Sequence, residues 1–328
     1  VSHGPFSVLD TLDAPLESPP VSGAAAVLRA KGRTFHWAAR LLDSRYRERA
    51  TRLYAFCRRV DDLADGSGSP RSAHRALQDC RAIIRSGNPG HPRYGDMVEL
   101  MRECRMDCEV VLELVDGVAG DLQPVRIEST AALLQYCYRV AGTVGLMMCS
   151  VLDLHTPAAR AYAIDLGIAM QLTNLCRDVA EDAAAGRRYL PRTLVGDLDP
   201  SLLTEPAAHL RPTLAAAIAS LLRLADAYYS SGTRGLAFLP LEARIAISVA
   251  AGLYRAIGTR LIRRNCDYWS GRIMVGPATK LALTTGILVT RPFTPRFWTK
   301  PSGHDASLHL ALASLPPIGA APPSAHDD

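Results

Sequence analysis

An all-α fold is predicted by three features of this 328-residue chain. Apolar residues recur with helical spacing along most of its length. Alternating runs of β-branched residues are scarce. Prolines and glycines fall at long intervals, as punctuation between helices. The composition is 48% hydrophobic and 21% charged. That is enough apolar material for a sizeable core, so a wholly disordered chain is excluded. A single helical domain fits the length.

Taken in order, the periodic segments predict helices over 22–30, 33–42 and 46–65. The run GSGSP at 66–70 breaks the pattern, and a helix over 71–86 follows. A second break, SGNPGHP at 86–92, leads into helices over 93–105 and 107–119. The longest uninterrupted patterns are 129–152 and 156–184. A Gly- and Pro-punctuated stretch from Gly186 to Pro206 then precedes helices over 206–232, 239–264 and 277–289. Residues 1–21 read as a flexible N-terminal segment and 22–300 as the helical domain. Residues 301–328, rich in Pro, Ala, Ser and His, read as a disordered tail, although 308–315 has the pattern for an amphipathic turn or two. No fixed-period repeat is present, which argues against a solenoid.

Net charge is +5, from 37 basic and 32 acidic residues, and lysine occurs only at Lys31, Lys280 and Lys300. A basic surplus this small and dispersed does not indicate a nucleic-acid partner. Arginine suits fixed pairing with phosphate or carboxylate. There is no P-loop and no GxGxxG. The longest apolar run, 140–152, is too short to span a bilayer and contains Gly142, Thr143, Gly145 and Ser150. Residues 1–20 carry Asp10, Asp13 and Glu17 without a basic-then-apolar order, so no secretory leader is read there. The eight cysteines form no Cys-x-x-Cys pair and sit in apolar surroundings, as expected of reduced, buried thiols in a cytoplasmic protein.

Two acidic clusters stand out. The first is Asp61, Asp62 and Asp65 in YAFCRRVDDLADG. Asp61 and Asp65, spaced i,i+4, share one helix face. At ~6 Å and an effective dielectric of ~20, their repulsion is roughly 3 kcal/mol before solvent screening. They also lie near a helix C-terminus, where the dipole disfavours anions. Two readings are open: a solvated face neutralised by Arg58 and Arg59, or a site for a cation.

The second cluster is Asn174, Arg177, Asp178, Glu181 and Asp182 in QLTNLCRDVAEDAAAGRRYLP. Gln171, Asn174, Asp178 and Asp182 fall at i, i+3, i+7 and i+11, one stripe on a helix otherwise lined by Ile168, Met170, Leu172, Leu175 and Val179. A mostly apolar helix with a carboxylate stripe is expected to line a polar cavity; the alternative is a helix whose charged end faces water. Arg177 and Glu181 are spaced to pair beside the stripe.

The Asp-x-x-x-Asp device thus occurs twice, 117 positions apart. Oxygen-only donors suit Mg²⁺, which takes one or two carboxylates together with substrate phosphates. The absence of His and Cys from both clusters argues against zinc there. Two such helices facing one another would hold Mg²⁺ over a diphosphate, and an apolar cavity would shield the carbocation left by its departure.

These residues resemble the squalene and phytoene synthases, the head-to-head trans-prenyltransferases. The likeness runs from about Ala30 to Leu283. It rests on YAFCRRVDDLAD, on NLCRDVAEDAAAGRRYLP and on YCYRVAGTVG, and the wording is most like the bacterial phytoene synthases. The resemblance implies an all-α isoprenoid-synthase bundle around a central cavity. It implies metal ligation by Asp61, Asp65, Asn174, Asp178 and Asp182, with Mg²⁺ as cofactor and Mn²⁺ as the alternative. It places Arg58 at a diphosphate, Tyr54 and Tyr136 at the reaction site, and Gln171 on the cavity wall. Tyr254, Arg272 and Lys280 match a later tyrosine and basic residues near the diphosphate. Many relatives read His-Ser-Lys-Ser-Phe near the start, where this chain has Lys31-Gly32-Arg33-Thr34-Phe35. Lys31 remains a candidate phosphate contact. Outside a family match, Tyr136 reads as a core tyrosine with a satisfied hydroxyl and Arg272 as a surface arginine at a helix end. Arg187 and Arg188 read as flanking the cavity mouth or as solvated.

The implied activity joins two geranylgeranyl diphosphates through prephytoene diphosphate to phytoene, in carotenoid biosynthesis. Two diphosphates are released and no NADPH is expected. Tyr136 is the candidate for proton handling or cation stabilisation. The alternatives are a diapophytoene or squalene synthase using farnesyl diphosphate, and a non-catalytic relative acting in assembly. Amphiphilic substrates and a hydrocarbon product imply transient contact with a membrane surface.

Overall fold

The computed structural model describes residues 37–65 and 69–315. The helix expected over 22–30, the first four residues of that over 33–42, Lys31, and the segments 1–21 and 316–328 lie outside the described residues.

The main helices are α1 Ser44–Asp65, α2 Pro70–Ser86, α3 Gly95–Glu103, α4 Cys108–Ala119, α5 Thr130–Cys137, α6 Thr143–Val151, α7 Pro157–Arg177 and α8 Val179–Ala184. Two short helices follow, α9 Arg192–Val195 and α10 Ser201–Thr204. Then come α11 Arg211–Gly232, α12 Leu241–Arg263, α13 Pro277–Thr290 and α14 Pro295–Trp298. The starts carry the expected signals. Ser69 accepts from the Ser72 N–H with Pro70 in the first turn of α2, Asp107 caps α4, and Ser129 caps α5. Gly87, at φ +63°, closes α2 in the left-handed region. Among the described residues β structure amounts to an isolated parallel bridge, Arg126 to Arg188.

The two longest predicted helices are both interrupted. The 129–152 pattern is split by a π turn, Tyr138–Gly142, between α5 and α6. The 156–184 pattern breaks at Asp178, whose φ −101° and ψ 19° separate α7 from α8. The polar stripe read along one continuous helix therefore spans two, joined across the break by the Asp182 N–H donating to the Asp178 carbonyl at 2.9 Å.

α7 is the central helix, packed against α6, α11, α12 and the π turn. Its crossing with the π turn and α6 is a backbone contact. A Cβ at Gly145 would sit 2.2 Å from the Ala163 carbonyl oxygen, and one at Gly167 would sit 2.2 Å from that of Ala141. The VAGTVG glycines thus serve close packing. One apolar core runs from α1 to the end of the described chain. All eight cysteines are free thiols, and all but Cys108 are buried.

The described part of the expected tail is ordered. Residues 301–315 pack on the bundle, with a 3-10 turn over Ala306–Leu312. Leu312 is fully buried. Tyr162 donates to the Gly303 carbonyl (2.6 Å), Tyr228 to that of Leu308 (2.5 Å), and the Gln135 amide to that of Ala311 (2.9 Å). The composition suggested disorder because its partners lie far away in sequence.

Candidate active site

An apolar cavity of about 190 Å³ lies beside α7. Its wall follows α7 from Ala159 to Asn174, about 22 Å of helix at 1.5 Å per residue. Tyr54 and Cys57 of α1, Gln171 and Asn174 of α7, and Tyr254 of α12 line it. The Nε2 donor of Gln171 and the Oδ1 acceptor of Asn174 are buried without a hydrogen-bond partner.

At the C-terminal half of α1, Arg58 holds two carboxylates at once. Its Nη1 lies 2.9 Å from Asp61 Oδ2 and its Nη2 lies 2.5 Å from Asp62 Oδ1. Asp61 is fully buried and Arg58 nearly so. Burial alone would lower the Arg58 pKa, but Asp61 and Asp62 more than reverse it. The neutralisation by Arg58 expected from the sequence is present, and Asp62 is partly exposed, but Asp61 is buried rather than part of a solvated face. Asp65 ends α1, and its side chain lies outside the described residues.

The junction of α7 and α8 gathers the second cluster. Arg177 Nε donates to Asp178 Oδ1 at 2.7 Å, and its Nη2 donates to Asp178 Oδ2. Arg272, in the loop before α13, brings its Nε to 3.1 Å from Asp178 Oδ1 and 3.8 Å from Glu181 Oε1. Arg177 engages Asp178, while Glu181, expected to pair with it, lies nearest Arg272 and still adds to the negative charge that Arg177 feels. Burial raises the Asp182 pKa well above the usual carboxylate range. Asp178, Asp121 and Glu181 add to the rise, and Arg187 opposes it. Burial and then Asp178 raise Glu181 as well. Tyr254 is pushed up to about 12, chiefly by burial. It feels both Arg177 and Asp178, and Tyr54 on the α1 side feels Tyr254, so the two clusters meet at this mouth.

Asp121 is a member that the sequence reading missed. It sits in the 3-10 turn Gly120–Leu122 after α4, 5% exposed. The Tyr136 hydroxyl donates to its Oδ2 (2.9 Å) and the Tyr189 hydroxyl to its Oδ1 (2.8 Å); the two phenol oxygens are 3.1 Å apart. Burial, then Asp121, raises both phenols well above their usual range. The backbone bridge at Arg126 and Arg188 ties this segment to the chain after α8. Arg188 is not at the surface. It is fully buried and donates to the Ile127 and Leu190 carbonyls. Lys280 lies half-buried in the first turn of α13 and is not among the cavity-lining residues.

The residues present fit a divalent cation with oxygen ligands. The Asn174 Oδ1 acceptor is buried and unused, and mutual repulsion among Asp178, Asp182, Glu181 and Asp121 favours added positive charge. Arginines neutralise Asp61 and Asp178 in this structure. A compact donor group that could coordinate a divalent ion is found elsewhere among the described residues, at Asp165, His304 and His309.

The sequence pattern of the squalene/phytoene synthase family matches residues 28–279. The chain is 33% identical over 302 residues to a phytoene synthase of Rhodobacter capsulatus, covering 88% of each chain. It is 34% identical over 270 residues to one of Thermus thermophilus, covering 82% of this chain and 93% of that one. A crystal structure of a dehydrosqualene synthase in complex with a ligand superposes with a TM-score of 0.72 at 25% identity, covering 84% of this chain and 97% of the other. The all-α bundle is the isoprenoid-synthase fold of such structures. Its central helix carries a polar carboxylate–arginine end over an apolar cavity, and on all of these grounds the chain belongs to the squalene/phytoene synthase family and is an enzyme of the trans-prenyltransferase type.

Proposed function

We propose that the chain is a phytoene synthase. It condenses two geranylgeranyl diphosphates through a cyclopropyl diphosphate to phytoene and releases two diphosphates. The observation that carries this reading is the cavity, whose apolar wall follows α7 from Ala159 to Asn174, four residues before Asp178. The relatives named as phytoene synthases support the choice.

Asp61, Asp65, Asn174, Asp178 and Asp182 would hold Mg²⁺, with Mn²⁺ as the alternative. When bound, the metal neutralises charge on the departing diphosphate. Arg58, Arg272 and Lys31 bind and orient the diphosphates, with Lys280 nearby. Tyr54 and Tyr254 present rings to the carbocation, and the apolar wall with Gln171 excludes water from it. Tyr136 remains a neutral phenol, so the base beneath it is Asp121, which takes a proton relayed through the Tyr136 hydroxyl. No step consumes a reductant, so NADPH is not required.

The membrane partner is assigned to α13 and the chain after it. α12 is long and apolar enough to cross a bilayer, but 56% of its apolar window is buried, as in a core helix. Leu281, Leu288, Val289, Phe293 and Trp298 are all exposed. Between Arg255 and Lys300 the chain carries nine basic residues and one acidic residue, Asp267. An apolar face rimmed by cations suits peripheral docking on an anionic lipid surface, with the body in the cytoplasm.

Product analysis tests the function. The protein is incubated with Mg²⁺ and geranylgeranyl or farnesyl diphosphate, with and without NADPH, and the hydrocarbons are extracted. Phytoene formed without NADPH is expected. A thirty-carbon product from farnesyl diphosphate would transfer the reading to the dehydrosqualene type of the structural neighbour. No product from folded protein would point to a non-catalytic relative.

A further inference from the structure

Asp165 lies on α7, on the face opposite the cavity. Helical geometry puts Ala163, Gly167, Met170 and Asn174 on the cavity side and Asp165 about half a turn away. Its carboxylate is fully buried. His304 Nε2 lies 2.7 Å from Oδ2, and His309 Nε2 lies 2.8 Å from Oδ1. Among the described residues these imidazoles are its ion-pair partners, and neither Arg nor Lys reaches it. The two rings are 4.5 Å apart and tilted by 45°, and Tyr162 sets its ring edge-on to His304 at 5.2 Å. All three donor atoms fall within 4.8 Å of one another.

A buried carboxylate with no fixed cation is an expensive group. Two imidazole nitrogens converging on it make a three-donor set of the His–His–carboxylate kind. That set favours a borderline metal such as Zn²⁺ over Mg²⁺, which prefers oxygen ligands and keeps much of its water. The surrounding backbone is held for the purpose. The Asp305 carboxylate accepts from the Ser307 N–H at 3.0 Å and starts the 3-10 turn. Tyr162 and Tyr228 hold the carbonyls of Gly303 and Leu308, each one residue before a histidine.

We propose that Asp165, His304 and His309 form a second metal site, for Zn²⁺ or a similar transition-metal ion, which staples residues 301–315 to the back of α7. Binding takes the Nε2 lone pairs of both neutral imidazoles, moves their ring protons to Nδ1, and takes one carboxylate oxygen. The fourth position goes to water. The ion is structural and separate from the diphosphate end of the cavity.

The test uses the full chain without a histidine tag. Protein is grown with zinc, dialysed, and its metal content measured. Wild type is expected to retain about one Zn²⁺ per chain, and His304→Ala and His309→Ala close to none. Adding Zn²⁺ to metal-stripped wild type should raise Tm by about 4 °C or more, while Mg²⁺ should not, and His309→Ala should not respond to Zn²⁺. Co²⁺ should give wild type the intense visible bands of a tetrahedral site. This readout decides the matter if the variants fold poorly. Zinc retained equally by wild type and His309→Ala, or a wild type with neither zinc nor cobalt bands, would overturn the proposal and leave the cluster a hydrogen-bonded clamp.

Discussion

Arg272 reaches Asp178 across 94 positions of sequence, with its Nε 3.1 Å from the carboxylate oxygen that Arg177 also engages. One carboxylate thus gathers two arginines at the mouth of the cavity. Arg177 is buried and committed to that contact, whereas Arg272 is partly exposed and placed to turn toward a diphosphate. Replacing Arg272 by Ala should lower kcat by about a hundred- to a thousand-fold with little change in Tm, since Arg177 still neutralises Asp178. Lysine there should recover only part of the rate, because it lacks the planar fork. Steady-state kinetics beside thermal melts check this. A near-normal rate in Arg272→Ala would remove it from the diphosphate.

Asp178 itself should tolerate Asn better than Ala. Alanine strands the buried Arg177 guanidinium, a loss of about 3–5 kcal/mol, whereas Asn keeps the volume and two polar atoms. Both variants should lose turnover. Urea melts and product yield measured on the same samples separate the two effects.

The raised pKa of Asp182 should make the stability of the metal-free protein fall as pH rises above the ordinary carboxylate range. Its folded pKa lies above the unfolded value, so between the two the native state binds more protons than the unfolded chain. Stability is then full below the ordinary Asp pKa and falls as pH rises through the raised value. Glu181, also raised, adds with the same sign. Melts of metal-free protein across this range should show the fall, and Asp182→Asn should flatten it. An unchanged slope in Asp182→Asn would mean that other groups set it.

Removing the Tyr136 hydroxyl and neutralising Asp121 should differ in degree. Tyr136→Phe leaves Asp121 bonded to Tyr189, and a loss of about tenfold to a hundredfold in kcat is expected. Asp121→Asn removes the base and should cost about a hundred- to ten-thousand-fold. The reverse order would return the proton-handling role to Tyr136.

Membrane docking through the α13 face predicts sedimentation with vesicles containing anionic phospholipid, weakened at high salt. Leu288→Ser with Phe293→Ser should abolish it while leaving turnover of detergent-solubilised substrate unchanged. Equal binding by the double variant would move the contact elsewhere.

Gly145 is a packing constraint. Alanine there would drive a Cβ into the Ala163 carbonyl oxygen, a backbone atom with no rotamer to yield. A destabilisation of about 1–3 kcal/mol is expected from overpacking, read as a lowered Tm.

The sequence made helices such as α2, α4 and α5 legible because they bury apolar residues at helical spacing, and their starts carry Ser, Asp and Pro at the positions that backbone geometry demands. It did not reveal the π turn at Tyr138–Gly142 or the break at Asp178. Neither is marked by a proline or by a change in the apolar period. Arg58 over Asp61 and Asp62 is a short-range consequence of helical spacing. Arg272 beside Asp178 was available only through family likeness, since no spacing rule links positions 94 apart. Asp121 left no pattern at all: a single aspartate after a glycine acquires meaning only when Tyr136 and Tyr189 close over it. The segment 301–315 looked unstructured because its order is borrowed from α5, α7 and α11.

The clamp between Asp165 and the two histidines also has a place in time. During synthesis α7 leaves the ribosome long before His304 and His309, so its carboxylate must stay hydrated until the last described segment arrives. Contacts spanning 139 and 144 positions carry a high loop-closure cost, so we expect them to form after the transition state. Contacts made that late set how slowly a native state comes apart, not how fast it forms. On that expectation the final turn of the described chain would act as a latch on the lifetime of the folded enzyme.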